Sequence, residues 1–346
     1  MNSSIQTQAT FGLGRLRGFA ILVLVSLLLL SACAGLASSP SRSLAPSRAS
    51  GTRTCVYSGN KISGLWSFDR LVHTHVICAM VFDTDQPTWA TWERPWFTDN
   101  PLPNENWVKF ARRPGDQFII TVPLFPDQAQ SQDWRTLGAA GAYTGYDRTL
   151  AKNLVASGMG DSIIRLAHEA NGPWAPDNVG STPYQWAEWK TFWRKTAIAM
   201  DSVPGAHFRF NWCISSGYRA IPFSAYYPGD DLVSSIGVDV YDGGEPANIP
   251  AGPGRWAYQY DQPGGVAAIA AFAKAHHKPL SIPEWGLEPT TVGGAGDDFA
   301  FVAGIDKLLH TTDVAFESYF YADYSGEELA VARSSLVEYR RMIHAS

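Results

Sequence analysis

Eight short apolar runs punctuate the chain. They are 54–59 (TCVYSG), 75–82 (HVICAMVF), 117–124 (QFIITVPL), 162–169 (SIIRLAHE), 207–213 (HFRFNWC), 232–241 (LVSSIGVDVY), 279–285 (PLSIPEW) and 314–321 (VAFESYFY). Short runs of this kind predict β-strands, and near-continuous apolar character predicts strands buried on both faces. Between most of them lie stretches with a helical period, over 146–157, 181–200, 263–275, 297–310 and 326–343. The segment 181–200 carries the clearest signals. Thr182 suits an N-cap, Pro183 the first helical position and Gln185 a capping box. Trp186, Trp189, Trp193, Ala197 and Met200 then share one face, which places these tryptophans in a core.

Strands that alternate with helices predict a parallel sheet. Eight such units within residues 54–346 match an α/β fold of the (β/α)8 TIM-barrel type in count and size. An open doubly wound sheet fits less well. It usually has fewer strands, and its nucleotide-binding form carries G-x-G-x-x-G after the first strand, where this chain has VYSGNKISG. No P-loop and no internal repeat occurs.

The first residues read differently. Arg15 and Arg17 precede an apolar run, Phe19 to Leu30, and then small residues. A basic region, a short apolar core and a small-residue cleavage zone describe a secretory signal over 1–32. Leu30-Ser31-Ala32-Cys33 resembles a bacterial lipobox, which implies cleavage before Cys33 and a lipid on its thiol. The protein is therefore expected on the outer face of the cell membrane, held by one anchor rather than a span. Ala32-Cys33-Ala34 also fits ordinary secretion. Residues 33–53, rich in Ser, Ala, Pro and Arg, read as a disordered tether.

Net charge is −5, which gives no electrostatic reason to expect nucleic acid. Aromatic residues make up 13%, a share that suits either a large core or a surface for stacking sugar rings. Beyond Cys33 the cysteines are Cys55, Cys78 and Cys213, so at most one disulfide forms, and its pairing is left open. No C-x-x-C or Cys/His cluster points to zinc. Neither a metal nor an organic cofactor is expected.

In a (β/α)8 barrel the C-terminal strand ends carry the chemistry. Strand four ends in His168-Glu169, with Asn171 beyond. Strand five ends near Asn211 and Trp212, strand six in Asp239, Tyr241 and Asp242, strand seven in Glu284-Trp285, and strand eight in Tyr319, Tyr321 and Asp323. Strands four and seven lie on different sides of a barrel, so Glu169 and Glu284 can face each other across its mouth. Paired carboxyls are what glycosidic bond cleavage needs, one to protonate the leaving oxygen and one to attack or activate water. Arg165 shares strand parity with Glu169, so it is expected inside the barrel, holding a carboxylate ionised. Asn171, Asn211 and Trp174 are candidates for substrate hydroxyls and ring faces. Trp285 and Tyr321 are further supporting candidates.

Three segments carry a family resemblance. RLAHEANGPW (165–174) resembles the acid/base segment of glycoside hydrolase family 26, within the clan of retaining (β/α)8 glycosidases. LSIPEWG (280–286) is similar to its nucleophile segment, and YYPGDDLVSSIGVDVY (226–241) to its approach along strand six. The resemblance implies Glu169 as acid/base, Glu284 as nucleophile, His168 beside the substrate and Tyr241 hydrogen-bonded to Glu284. The chain departs from the pattern after HEANG, where Pro173-Trp174-Ala175-Pro176 replaces an aromatic-rich stretch. It departs again on strand eight, where Tyr319, Phe320 and Tyr321 stand in place of a tryptophan. These changes bear on the family's usual substrate, β-mannan, more than on its mechanism.

Other features take plainer readings. His168-Glu169 is not H-E-x-x-H, because Gly172 stands where the second histidine belongs. CISSG (213–217) is not a nucleophile elbow. Cys213 reads as a buried thiol, His276-His277 as a solvated helix end, and Glu317 as an internal ion-pair partner. Trp89, Trp92 and Trp96 divide between substrate platform and loop packing. The expectation is a retaining glycoside hydrolase acting, as a monomer, on a β-linked polysaccharide. The alternatives are a carbohydrate-binding or envelope-scaffold protein on a degenerate barrel, and a transglycosylase.

Overall fold

The computed structural model describes residues 52–84, 86–98, 106–131, 133–218, 221–243 and 249–344. The leader, Cys33 and residues 34–51 of the expected tether lie outside the described residues, whereas Arg53, placed at the end of that tether by the sequence, opens the first strand. Eight parallel strands close into a barrel: β1 (Arg53–Tyr57), β2 (Cys78–Phe82), β3 (Gln117–Val122), β4 (Ile163–Leu166), β5 (Arg209–Ser215), β6 (Val233–Tyr241), β7 (Leu280–Gly286) and β8 (Val314–Phe320). Each pairs with its sequence neighbours, and β1 closes onto β8 with Cys55 opposite Ser318. All residues of β3, β4 and β7 are buried, as double-sided packing requires.

The helices form the outer layer. Helix Pro183–Asp201 begins with the expected capping box: Gln185 N–H bonds the Thr182 hydroxyl, and the Gln185 side chain accepts from Thr182 N–H. Trp189, Trp193, Ala197 and Met200 are buried together with Phe192, whereas Trp186 is only partly covered. The indoles also tie this helix to the barrel, because Trp193 Nε1 donates to Leu166 O at 3.0 Å. Helix Ile62–Val72 was not visible in the pattern. Its buried Ile62, Leu65, Phe68 and Val72 do share a face, but no side chain caps its start. The expected helix over 326–343 is two, Asp323–Val331 and Arg333–His344, broken at Ala332 where ψ is 86°.

The lumen changes character along its axis. At the N-terminal end a disulfide joins Cys55 to Cys78 across β1 and β2, packed with Met80, Ile119, Ile163 and Phe316. Cys213 is the free, buried thiol. Above this apolar plug sits a small polar layer, where Asn211 Nδ2 donates to Ser235 Oγ at 2.9 Å and Ser281 Oγ at 2.8 Å. This corrects the expectation for Asn211. β5 runs on to Ser215, so Asn211 lies within the barrel, fully buried, rather than at the rim where a substrate hydroxyl could reach it.

Glu317 also departs from expectation. By strand alternation it faces the helices, fully buried, and its neighbours are neutral rather than cationic. Trp285 Nε1 donates to its Oε2 at 2.6 Å. Burial pushes its carboxyl up to about 7. The folded state therefore keeps a proton that the unfolded chain loses near its ordinary value. Stability from this group is full below about 4.3 and is lost as pH rises to about 7. Glu317→Gln removes that loss. Urea denaturation should show the variant gaining on the wild type by on the order of 3 kcal/mol between pH 4 and pH 8; a constant gap across that window would refute the neutral carboxyl.

Candidate active site

Arg165 points up the lumen from β4 and is completely buried. Its Nη1 donates to Glu284 Oε1 and its Nη2 to Asp239 Oδ2, so one guanidinium serves two carboxylates on two other strands. Asp239 Oδ1 accepts the Glu284 backbone N–H at 3.0 Å and faces Cys213 Sγ at 3.2 Å. Burial pushes the Asp239 carboxyl well up, against the Arg165 guanidinium, and the charges of Glu284 and Glu169 push it the same way. Asp239 received no role from the sequence. The signal was available: it shares strand parity with Tyr241, so both face the lumen.

Glu284 projects from β7 into this cluster. Tyr241 OH donates to its Oε2 at 3.0 Å. Burial raises the Glu284 carboxyl, but Arg165 and the hydrogen bonds of Arg165 and Tyr241 outweigh it and hold the group below the usual carboxylate range. Burial and the charge of Glu284 push the Tyr241 phenol upward, so it stays a donor.

Glu169 is positioned by backbone rather than by strand. β4 ends at Leu166, and the parity argument that linked Arg165 to Glu169 stops there. Ala167 and Glu169 both adopt left-handed backbone, with φ 52° and 51°. Such residues are uncommon outside glycine and cost roughly 1–2 kcal/mol each. The turn is held by Ala167 N–H to Val122 O at 2.8 Å and Glu169 N–H to Cys213 O at 3.1 Å. The side chain of Glu169 meets no cation directly; instead Trp174 Nε1 donates to its Oε2 at 2.7 Å. Burial and the charge of Glu284 push its carboxyl up, against Arg165 and the indole. Burial and Arg165 push His168 down to about 3, so its imidazole is neutral.

Aromatic rings line the mouth. Phe82 contacts His168 edge-on at 5.4 Å, Tyr57 meets Phe82 at 4.7 Å and Phe320 at 4.6 Å, and Phe320 reaches Tyr241 at 6.0 Å. The ring that strand eight offers is therefore Phe320. Tyr321 turns away to pack on Phe68 and Tyr319 is buried behind the sheet, contrary to expectation. Trp285 likewise faces outward, buried against Phe301, Tyr319 and Tyr339, and cannot touch a substrate. Of the loop tryptophans, Trp92 is buried and Trp89 is covered by Tyr143 and Tyr146, whereas Trp96 is exposed beside Phe82, its Nε1 3.4 Å from Phe82 O.

On the other side, exposed Trp174 meets exposed Tyr218 at right angles, with centroids 4.6 Å apart. Tyr218 follows a glycine turn, for which apolar periodicity gives no signal. Asn171 is a staple rather than a substrate ligand. Its Oδ1 accepts Ser215 N–H at 2.9 Å, and its Nδ2 donates to Ser215 O and Tyr218 O at 2.8 and 3.2 Å. Outside the site, His276 is more than a solvated helix end, since it bonds Asp230 at 2.9 Å and packs on Tyr227 and Phe272. Among the described residues, no group of three or more His, Cys, Asp or Glu side chains is arranged to hold a metal ion.

The arrangement brings an ionised carboxylate and a carboxyl that resists ionisation to one barrel mouth. Its keystone is testable without a substrate. Arg165→Met removes the cation that the buried carboxyls of Asp239 and Glu284 share, which should cost about 3–5 kcal/mol at pH 7. The deficit should shrink toward pH 4 as the carboxylates take up protons, and denaturation curves at the two pH values would detect a deficit that does not.

No protein-family model matches the sequence, and neither does any curated protein. Solved structures do share the fold. A Cellulomonas fimi endo-β-1,4-mannanase double mutant is 18% identical with a TM-score of 0.59, over 83% of this chain and 70% of that one. Bacillus subtilis mannanase is 14% identical with a TM-score of 0.55, over 82% and 83%. A family 26 β-mannanase from Bacteroides ovatus is 13% identical with a TM-score of 0.55, over 84% and 89%. The chain has the (β/α)8 barrel fold of these glycoside hydrolase structures.

Proposed function

We propose that this protein is a retaining glycoside hydrolase, akin to family 26, that cleaves a β-linked polysaccharide within the chain. The observation that carries the reading is the separation of the two glutamates by environment. Arg165 and Tyr241 favour the ionised form of Glu284, while burial and the charge of Glu284 favour the protonated form of Glu169. Such a divergence is how one site supplies an acid and a nucleophile at the same pH.

Glu169 protonates the leaving oxygen as Glu284 attacks the anomeric carbon. Water then resolves the glycosyl-enzyme, with Glu169 now accepting its proton. Neutral His168 lies beside the sugar, and the exposed rings of Trp96 and Trp174 offer stacking surfaces on either side of the catalytic pair. The fold neighbours are named as mannanases, which supports trying β-mannan first; Phe320 in place of a tryptophan supports testing other β-glycans beside it. From the sequence, export, a lipid on Cys33 and a monomeric catalytic domain complete the proposal. Cys33→Ala should abolish incorporation of labelled palmitate in a bacterial host.

Reducing-end release by residues 54–346 should appear on at least one of β-mannan, β-glucan, xylan or extracted envelope glycan. Glu284→Ala should abolish it and Glu169→Ala should lower it about 10²–10⁴-fold. The first product should carry the β-anomeric configuration by NMR. The profile of kcat/KM should be bell-shaped, with an acid limb below the ordinary glutamate value from Glu284 and a basic limb above it from Glu169. Release that survives both substitutions would sink the reading.

A further inference from the structure

The acid/base glutamate is steadied by a side chain that has little packing of its own. Trp174 is 49% exposed, yet its indole N–H is aimed at Glu169 Oε2. Gly172 allows the approach, since a Cβ there would lie 2.3 Å from the indole ring. The base of its loop is held at several points, among them Arg135 Nη2, which donates to Asn178 O at 2.8 Å. Val179 N–H bonds Ala170 O at 2.8 Å, drawing the loop ends together. Between them stands Asp177, buried at 3% exposure. Its Oδ2 accepts Leu124 N–H, just beyond β3, at 2.9 Å, and its carbonyl accepts Trp189 Nε1 from the outer helix at 2.7 Å. Asn178 then binds back to Ala175 O at 2.8 Å.

We propose that Asp177 is a positioning residue for the acid/base: it clamps loop 170–179 to β3 and the outer helix, and so holds the Trp174 indole on Glu169. A buried carboxylate that accepts a backbone N–H from another strand is a stiffer anchor than the exposed contacts at the loop tip. The bond it protects favours the ionised form of Glu169, and it fixes the carboxyl's orientation toward the leaving oxygen. Asp177 touches neither substrate nor the reacting atoms.

The kinetic arm of the test rests on the hydrolase reading, while a spectroscopic arm does not. In ¹⁵N-labelled protein the Trp174 indole resonance, identified by its loss in Trp174→Phe, should move in Asp177→Ala toward its position in Glu169→Gln. Asp177→Asn, whose oxygen can still accept Leu124 N–H, should recover most of the shift. Trp189→Phe, which frees the Asp177 carbonyl, provides a second way to loosen the same clamp if the alanine variant does not fold.

For aryl glycosides of the sugar that the wild type releases, Asp177→Ala should lower kcat/KM about tenfold with a 4-nitrophenyl leaving group. It should leave 2,4-dinitrophenyl, which needs no acid, within about twofold. Adding the change to Trp174→Phe should cost nothing more. An indole resonance unmoved in folded Asp177→Ala and Trp189→Phe overturns the proposal, as does an equal fall on both leaving groups. If the wild type turns over no glycoside, the hydrolase reading fails and the resonance alone decides the clamp.

Discussion

One buried guanidinium organises the mouth of this barrel. Arg165 stands between Asp239 and Glu284, under a third carboxyl at Glu169. Removing such charges from water costs several kcal/mol per ion, so the pairs persist only because their geometry is satisfied on several sides at once. Asp239 meets Arg165, the Glu284 N–H and the Cys213 thiol, and Glu284 meets Arg165 and Tyr241. The contrast with the exposed pair Arg194–Asp231 is large, since surface bridges contribute about 0–1 kcal/mol. The rest of the lumen is arranged to support this layer. A disulfide and apolar side chains fill its base, an Asn-Ser layer follows, and the guanidinium sits above them.

Two glutamates of the same chemistry acquire opposite characters here because they are held differently. Glu284 sits on β7 where the register shifts against both β6 and β8, and that irregularity turns it inward to a cation and a phenol. Glu169 hangs from a turn with two left-handed residues, and its direct partners, the Trp174 indole and the Ser215 hydroxyl, are neutral. Strained backbone of this kind is kept only where the surroundings determine it fully. Here the determining bonds run to β3 and β5, through Val122 O and Cys213 O. The Glu284 side of the site is therefore a property of the barrel strands, and the Glu169 side a property of the turn beyond β4.

The three fold neighbours described above share 13–18% identity with this chain while matching most of its length. A closed eight-stranded barrel tolerates that divergence, because its outward residues need only be apolar and of suitable volume. The mouth is less tolerant. Phe320 and Phe82 form a contacting ring wall with Tyr57 on one side, and the Trp174–Tyr218 corner stands on the other. On the proposed reading, these rings rather than the barrel set the preference for one glycan over another.

The sequence by itself determined the strand count, the closed parallel architecture and the segments that reach the mouth. Each of these follows from local periodicity, which is carried by consecutive residues. Strand-end position also marked Glu169, Tyr241 and Glu284, and strand alternation turned Arg165 inward, while the pairing of Tyr241 with Glu284 came from the resemblance to family 26. Only the tertiary structure decided which strand-end residues face inward at the rim. The true end of β4, the extra length of β5 and the outward facing of Trp285 and Tyr321 depend on register between strands, and a shift of a single residue reverses a side chain. Asn171 and Asn211 were legible as polar residues near the mouth, but their partners, Ser215 and Tyr218 for one, Ser235 and Ser281 for the other, come from neighbouring strands and loops. Asp239 and Asp177 gained meaning in the same way. A buried carboxylate is defined by the donors that surround it, and those donors are assembled by folding rather than by adjacency in the chain.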